Sequence, residues 1–275
     1  MPLTPATIPA LLERHGLAPS RALGQNFLAD PNTAHRIARL AGVEAGDRVL
    51  EIGPGIGSLT VALLEAGARV TAVELDRHVV PALLETVGPD TITLVEGDAM
   101  RVDLDAVLGP GDAAWRAVSN LPYNVATPIV MRLLENAPRV RSMLVMVQRE
   151  VGERLAAGPG TKAYGAVSVK VAYFASARVV GIVPPTVFVP APRVESALVE
   201  LVRHAEPPVA VPSPDRLFAL VRAGFGQRRK MLRSALRAEL DDDVVESLTE
   251  AGIDPRARAE TLELDDWARL ARVVG

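Results

Sequence analysis

Asn120-Leu121-Pro122-Tyr123 sets a side-chain amide, a peptide carbonyl, a proline and an aromatic ring side by side. That combination suits an exocyclic amine on a flat heterocycle. The nitrogen of such an amine is a poor nucleophile, because its lone pair is delocalised into the ring. Two acceptors that hold its hydrogens favour a pyramidal, competent nitrogen. The Asn120 side-chain oxygen and the Leu121 carbonyl could supply them. Pro122 fixes the backbone so that the carbonyl is aimed in advance, and Tyr123 offers a face for stacking. Taken alone, the tetrapeptide is better explained as a strand-ending turn.

A second element is Leu50-Glu51-Ile52-Gly53-Pro54-Gly55-Ile56-Gly57-Ser58-Leu59-Thr60. Glycines there let the backbone approach a ligand where a Cβ would collide. Glu74 follows Gly53 by 21 positions, a place from which a carboxylate can accept hydrogen bonds from both ribose hydroxyls of a nucleoside. A dinucleotide fingerprint, G-x-G-x-x-G, would require glycine where Ser58 stands. The spacing here is G-x-G-x-G with Glu51 ahead of it, the E-x-G-x-G-x-G form of methyltransferases. NAD remains open at this point. In Glu96-Gly97-Asp98-Ala99, Asp98 follows the third strand of the pattern. It should lie beside Glu74 at the carboxyl edge of the sheet, where it could accept from the amino group of an adenine.

These residues need a scaffold, and the hydrophobic pattern describes one. Short aliphatic runs at 48–52, 69–74, 91–95, 115–119 and 142–147 read as strands. Helical stretches at 58–66, 78–87 and 127–136 alternate with them, which predicts a parallel sheet covered on both faces. Residues 6–14 and 31–41 read as helices before it, the second opened by Asp30 and Pro31. The stretch 20–28 between them is a non-periodic loop. Helices are expected at 148–157 and 164–174. Strands at 179–183 and 194–202, flanking the proline-rich 183–192, would form an antiparallel pair at one edge. Prolines at 207, 208, 212 and 214 mark a linker. Only helical patterns follow it, at 214–223, 228–240, 243–251 and 264–273. The expected architecture is a mostly parallel, Rossmann-like α/β domain over 1–205 and a small all-α domain over 206–275.

Composition narrows the chemistry. The chain has 275 residues and no cysteine, which excludes disulfides, thiolate zinc sites and cysteine nucleophiles. Its four histidines are scattered without metal-ligand spacing, so no metal is expected. No apolar run reaches the roughly 18–20 residues of a membrane helix. No secretory signal is visible at the terminus, and a soluble cytoplasmic protein, with no membrane partner, is the simplest expectation. The net charge of −3 argues weakly against nucleic acid, but the charge is sorted. Residues 222–238 hold six basic side chains and no acidic one, whereas 239–266 hold eleven acidic and two basic. A solvated helix face would account for the basic run by itself; so would a phosphate-binding face.

Asn120–Tyr123 resembles the N/D/S-P-P-Y/F motif of methyltransferases that act on amino groups of nucleobases. Along nearly its whole length the chain resembles the KsgA (RsmA) family of ribosomal RNA adenine dimethyltransferases. The resemblance rests on Leu23-Gly24-Gln25-Asn26-Phe27-Leu28, the Glu51–Gly57 loop, Val73-Glu74-Leu75-Asp76, Gly97-Asp98-Ala99 and Ser119–Asn124. It continues through Val147–Val151, Val187-Phe188, Pro192–Ala197 and Phe225-Gly226-Gln227-Arg228-Arg229-Lys230. It implies a class I methyltransferase fold and S-adenosylmethionine as cofactor. Asn26, Leu28, Gly53, Gly55, Glu74, Leu75, Asp98, Ala99 and Asn120 would line the cofactor site. Residues 25–28 would fold over it. Tyr123 and Phe188 would sandwich the target base beside Asn120, Leu121 and Pro122, although Phe188 alone reads as core or a turn anchor. Arg228, Arg229 and Lys230 would meet RNA phosphates. The implied substrate is two adjacent adenines in the 3′-terminal hairpin loop of small-subunit (16S) rRNA, dimethylated on an assembling 30S subunit. A monomer is expected.

Three rivals stand beside this reading. An Erm-type enzyme would dimethylate one adenine of large-subunit rRNA with the same cofactor site. A non-catalytic assembly factor could retain the fold. A dehydrogenase is disfavoured by Ser58 and by the lack of a second-substrate constellation.

Overall fold

Aliphatic runs bounded by glycine and proline turns become strands, and the amphipathic stretches between them become helices. The computed structural model describes residues 3–20 and 23–275; Met1, Pro2, Arg21 and Ala22, on which part of the terminus and loop readings fell, lie outside them. The chain begins with α1 (Thr7–Arg14), β1 (Phe27–Leu28) and α2 (Pro31–Leu40). Asp30 caps α2 by accepting from the Asn32 and Thr33 backbone N–H groups, as its sequence predicts. Then come β2 (Arg48–Ile52), α3 (Ser58–Glu65), β3 (Arg69–Glu74), α4 (Val80–Val87) and β4 (Thr93–Glu96). The alternation continues with α5 (Leu104–Leu108), β5 (Trp115–Asn120), α6 (Ala126–Asn136) and β6 (Val140–Gln148). After α7 (Arg149–Leu155) and α8 (Ala166–Phe174) come β7 (Ala175–Val183), β8 (Phe188–Val189) and β9 (Ser196–Arg203). The chain ends in α9 (Pro214–Gly226), α10 (Leu232–Ala235), α11 (Arg237–Leu240), α12 (Val244–Glu250) and α13 (Leu264–Val273).

The main sheet has the order β4-β3-β2-β5-β6-β9-β7. Strands β2 to β6 pair in parallel, and β9 runs antiparallel to β6. This is the mostly parallel sheet with an antiparallel edge that the pattern predicts. The chain moves outward from β2 to β3 on one side and returns to β5 on the other. The carboxyl ends of β2 and β5 therefore diverge and open a crevice, which is where open α/β sheets take ligands. Helices α2 and α3 close one face: Ala34, Ile37, Leu59 and Leu63 pack with Val49, Val70 and Val118 in a buried cluster.

Two expectations are corrected. The chain divides into two compact units, one of residues up to Gly152 with Arg178–Arg203, the other of Glu153–Ala177 with His204–Gly275. A single cut near residue 205 therefore misses the segment around α8. Tyr164, Val169 and Tyr173 of that segment are buried with Leu217, Phe218 and Trp267 in one apolar cluster, so the helical unit draws its core from chain segments that precede and follow residues 178–203 in the sequence. The helix expected over 228–240 is two short ones. The Leu232 N–H donates to the Ala257 carbonyl at 2.8 Å and the Arg233 N–H to the Pro255 carbonyl at 3.1 Å. Those donors are no longer free to continue a helix from residue 228.

Candidate active site

The loop after β2 turns on glycines with left-handed backbone, at φ +70° (Gly53), +57° (Gly55) and +93° (Gly57), conformations that cost a side-chain-bearing residue about 1 kcal/mol or more. Gly55 is also crowded, since a Cβ there would sit 3.2 Å from the Phe27 ring. Glu74, at the end of the neighbouring strand β3, holds the loop in place. One carboxylate oxygen accepts the Gly55 N–H at 3.0 Å and the other accepts the Asp76 N–H at 2.8 Å. Burial raises the pKa of Glu74 against these stabilising bonds. Burial also pulls Asp76 upward, but bonds from Gln25 and His78 outweigh it and lower its pKa. The Gln25 amide reaches Asp76 at 2.9 Å and so ties the loop before β1 to the end of β3.

Across the crevice, β5 ends in Asn120. Its side-chain N–H donates to the Asn26 carbonyl at 3.3 Å. One amide hydrogen is thus directed to the Asn26 backbone, which leaves the oxygen as an acceptor. The Pro122 carbonyl is consumed by the Val125 N–H at 3.1 Å. The Tyr123 hydroxyl meets the buried Ser196 hydroxyl at 2.6 Å, which fixes the tyrosine ring, and burial raises the phenol's pKa.

These pieces surround one cavity of about 240 Å³. Asn26, Leu28, Gly53, Gly55, Glu74 and Leu75 line it, and so do Asp98, Ala99, Asn120, Leu121, Pro122 and Tyr123. Leu75 is 58 % exposed and Met100, also in the lining, 37 %, so the cavity offers apolar side chains for a flat ring to cover. Asp98 binds the Met100 N–H at 2.8 Å and faces Arg101 at 3.5 Å. The lining holds four carboxyl groups, Glu51, Glu74, Asp76 and Asp98, and among the described residues no Lys, Arg or His. A sulfonium with an amino-acid tail finds carboxylates there. The residues present therefore fit S-adenosylmethionine.

Several contributors escaped the sequence reading. Ser196 is one: it stands within the Pro192–Ala197 motif, but nothing in the sequence gives it a role at the site. Glu51 is another, visible only as a motif letter. It is 1 % exposed, and burial pushes its carboxyl up to about 8, with the Glu74 charge adding to the rise and the Thr60 hydroxyl opposing it. Glu51 Oε2 and Ser58 Oγ are buried without a well-formed hydrogen bond, the Thr60 hydroxyl being the polar group nearest the carboxyl, and Glu51 and Ser58 belong to the cavity lining.

Phe188 is not among the residues that line this cavity; it is 3 % exposed, paired across β1 and β8 with Leu28, which does line it, and packed in the sheet's apolar cluster. Arg228, in the helical unit, is engaged within that unit. Its guanidinium donates to Glu260 at 3.0 Å and to the Lys162 carbonyl at 3.0 Å. Arg229 and Lys230 are exposed. Among the described residues no helix is long and apolar enough to cross a membrane.

A family model for ribosomal RNA adenine dimethylase matches residues 18–274. The "ribosomal RNA small subunit methyltransferase A" of Magnetococcus marinus is 48 % identical over 96 % of this chain and 95 % of its own length. The protein of the same name from Leifsonia xyli is 48 % identical over 98 % and 97 %. Among solved structures, the 23S rRNA methyltransferase ErmE superposes with a TM-score of 0.69 at 27 % identity, over 90 % of this chain and 99 % of its own.

Proposed function

The chain belongs to the ribosomal RNA adenine dimethylase family, and from that premise we propose how its cavity works and on what. The protein is an S-adenosylmethionine-dependent rRNA small-subunit adenine dimethyltransferase. The observation that carries the site assignment is that Glu74, Asp98 and Asn120, from three different strand ends, line one cavity. Glu74 and Asp98 would bind the ribose and the adenine of the cofactor, with Leu75 and Met100 against its ring. When bound, S-adenosylmethionine supplies an already activated methyl group, so no strong general base is required.

The chain's own task is to hold the acceptor. The Asn120 side-chain oxygen and the Leu121 carbonyl take the two amino hydrogens of the target adenine and favour a pyramidal nitrogen. The lone pair so released would be free to take the methyl group that the bound donor supplies, with the amino proton lost to solvent. Tyr123, held by Ser196, stacks on the base. A second transfer on the same nitrogen needs a fresh cofactor and a pocket that admits the monomethylated amine.

The substrate proposed is the pair of adjacent adenines in the 3′-terminal hairpin loop of 16S rRNA, presented by an assembling 30S subunit in the cytoplasm to a monomeric enzyme. Identity near 48 % to small-subunit enzymes, against 27 % to ErmE, supports it over the large-subunit reading. Incubation with unmethylated 30S subunits or with 23S rRNA, followed by mass spectrometry, tests it. Dimethyladenosine is expected in the 16S hairpin alone, and label confined to 23S rRNA overturns it. Asn120→Ala should lower the rate about 10²–10³-fold; equal incorporation removes Asn120 from the mechanism and leaves an assembly role.

A further inference from the structure

The polar ends at the base of the glycine loop have no work to do in the established geometry. Glu51 Oε2 and Ser58 Oγ are buried without a well-formed hydrogen bond, with only the Thr60 hydroxyl near enough to the Glu51 carboxyl to ease its burial, an expensive arrangement that a protein retains where something else completes it. Glu51 and Ser58 border the cavity. The cavity's other carboxyl groups already have partners: Glu74 holds two backbone N–H groups, Asp76 holds Gln25 and His78, and Asp98 holds Met100 and faces Arg101. Glu51 is the carboxyl left over. Packed against it are Glu74 from β3 and the Thr60 hydroxyl from α3, and no cationic side chain among the described residues lines its side of the cavity.

A carboxyl so placed has two stable conditions. With the cavity filled by solvent it keeps its proton, since an uncompensated buried charge is costly. With a cation in the same low-dielectric cavity, the charged form is favoured instead. The methyl donor carries a sulfonium, an ammonium and a carboxylate, a net charge of +1; the demethylated product has lost the sulfonium and is neutral overall. The electrostatic field at Glu51 therefore changes at each transfer.

We propose that Glu51 is the charge-adjusting residue of this cavity, ionised when the cationic methyl donor occupies it and neutral when the product leaves, so that donor binding expels a proton. This rests on the S-adenosylmethionine assignment above. It gives the enzyme a stronger hold on donor than on product, which favours exchange between the successive transfers that dimethylation requires. Glu51 acts as a positioning residue and touches no reacting atom.

Calorimetric titration in the absence of RNA tests it, with S-adenosylmethionine and S-adenosylhomocysteine each titrated at pH 6–9 in buffers of differing ionisation enthalpy. The two ligands share the same amine, so their difference isolates the sulfonium. Wild-type protein should release more protons with S-adenosylmethionine than with S-adenosylhomocysteine at pH 7. Donor affinity should rise by up to about tenfold per pH unit below 8 and level above it. Glu51→Gln should abolish the difference in proton release while still binding both ligands. Equal release for the two ligands in wild type, or an unchanged difference in Glu51→Gln, overturns the inference and leaves the cofactor assignment standing. Absence of binding by either ligand overturns the cofactor assignment itself. The wild-type comparison decides even where the variant fails to fold.

Discussion

Replacing Glu51 by glutamine in the ligand-free protein should change the pH dependence of stability in a calculable way. The carboxyl titrates near 4.5 in an unfolded chain and is pushed up to about 8 by complete burial in the fold. Between those values the folded state binds a proton that the unfolded state has lost. Stability conferred by the neutral form is thus fully present below 4.5 and drains away as the pH rises through 8. The slope is about 1.4 kcal/mol per pH unit inside the window, with a ceiling of about 5 kcal/mol across it. Glutamine keeps the shape and has no proton to lose, so Glu51→Gln should overtake the wild type as pH rises. Urea unfolding of both proteins at pH 5, 6, 7, 8 and 9, followed by far-ultraviolet circular dichroism, measures the difference. Other groups, Glu74 among them, are present in both proteins and largely cancel. A difference that stays flat from pH 5 to 8 would show that Glu51 is not buried as a neutral acid, and the reasoning built on it would fail.

Gly55→Ala should weaken S-adenosylmethionine binding by about tenfold or more, read by calorimetry, because its φ of +57° costs about 1–2 kcal/mol for alanine and the new Cβ lies 3.2 Å from the Phe27 ring. Binding at wild-type strength would show that the loop has room to relax. Gly224→Ala should destabilise the helical unit by about 1–3 kcal/mol, since a Cβ there would sit 2.5 Å from the Trp267 indole; an unchanged denaturation midpoint refutes it. Arg229→Ala should reduce the salt slope of RNA binding by about 1 while leaving stability alone. Arg228→Ala should do the reverse, lowering stability through the loss of Glu260 and the Lys162 carbonyl; a slope change for Arg228 and none for Arg229 would exchange their roles.

Much of this protein is legible in its sequence because the chemistry is local. The glycine loop, Glu74, Asp98 and Asn120 each sit at the end of a β-rich run, and the alternation of those runs with helices dictates a parallel sheet with its loops at one edge. Local signals place a residue at a strand end. They do not say which polar atoms find partners or which ring lies over which cavity. Phe188, Ser196 and Glu51 illustrate the limit. Whether Phe188 stacks a base or fills the core depends on its pairing with Leu28, some 160 positions earlier in the chain. Ser196 matters only because β9 folds back beside β6 and brings it to Tyr123. The sorted basic run looked uniform in sequence, yet Arg228 is consumed by Glu260 while Arg229 stays exposed. The proportion of the chain given to the helical unit was also decided by packing, through Tyr164, Val169 and Tyr173. Periodicity and spacing are properties of neighbours along the chain, and so they determined the elements and the chemistry at their ends. Burial and hydrogen-bond satisfaction are properties of neighbours in space, and only the folded arrangement of strands and helices could decide them.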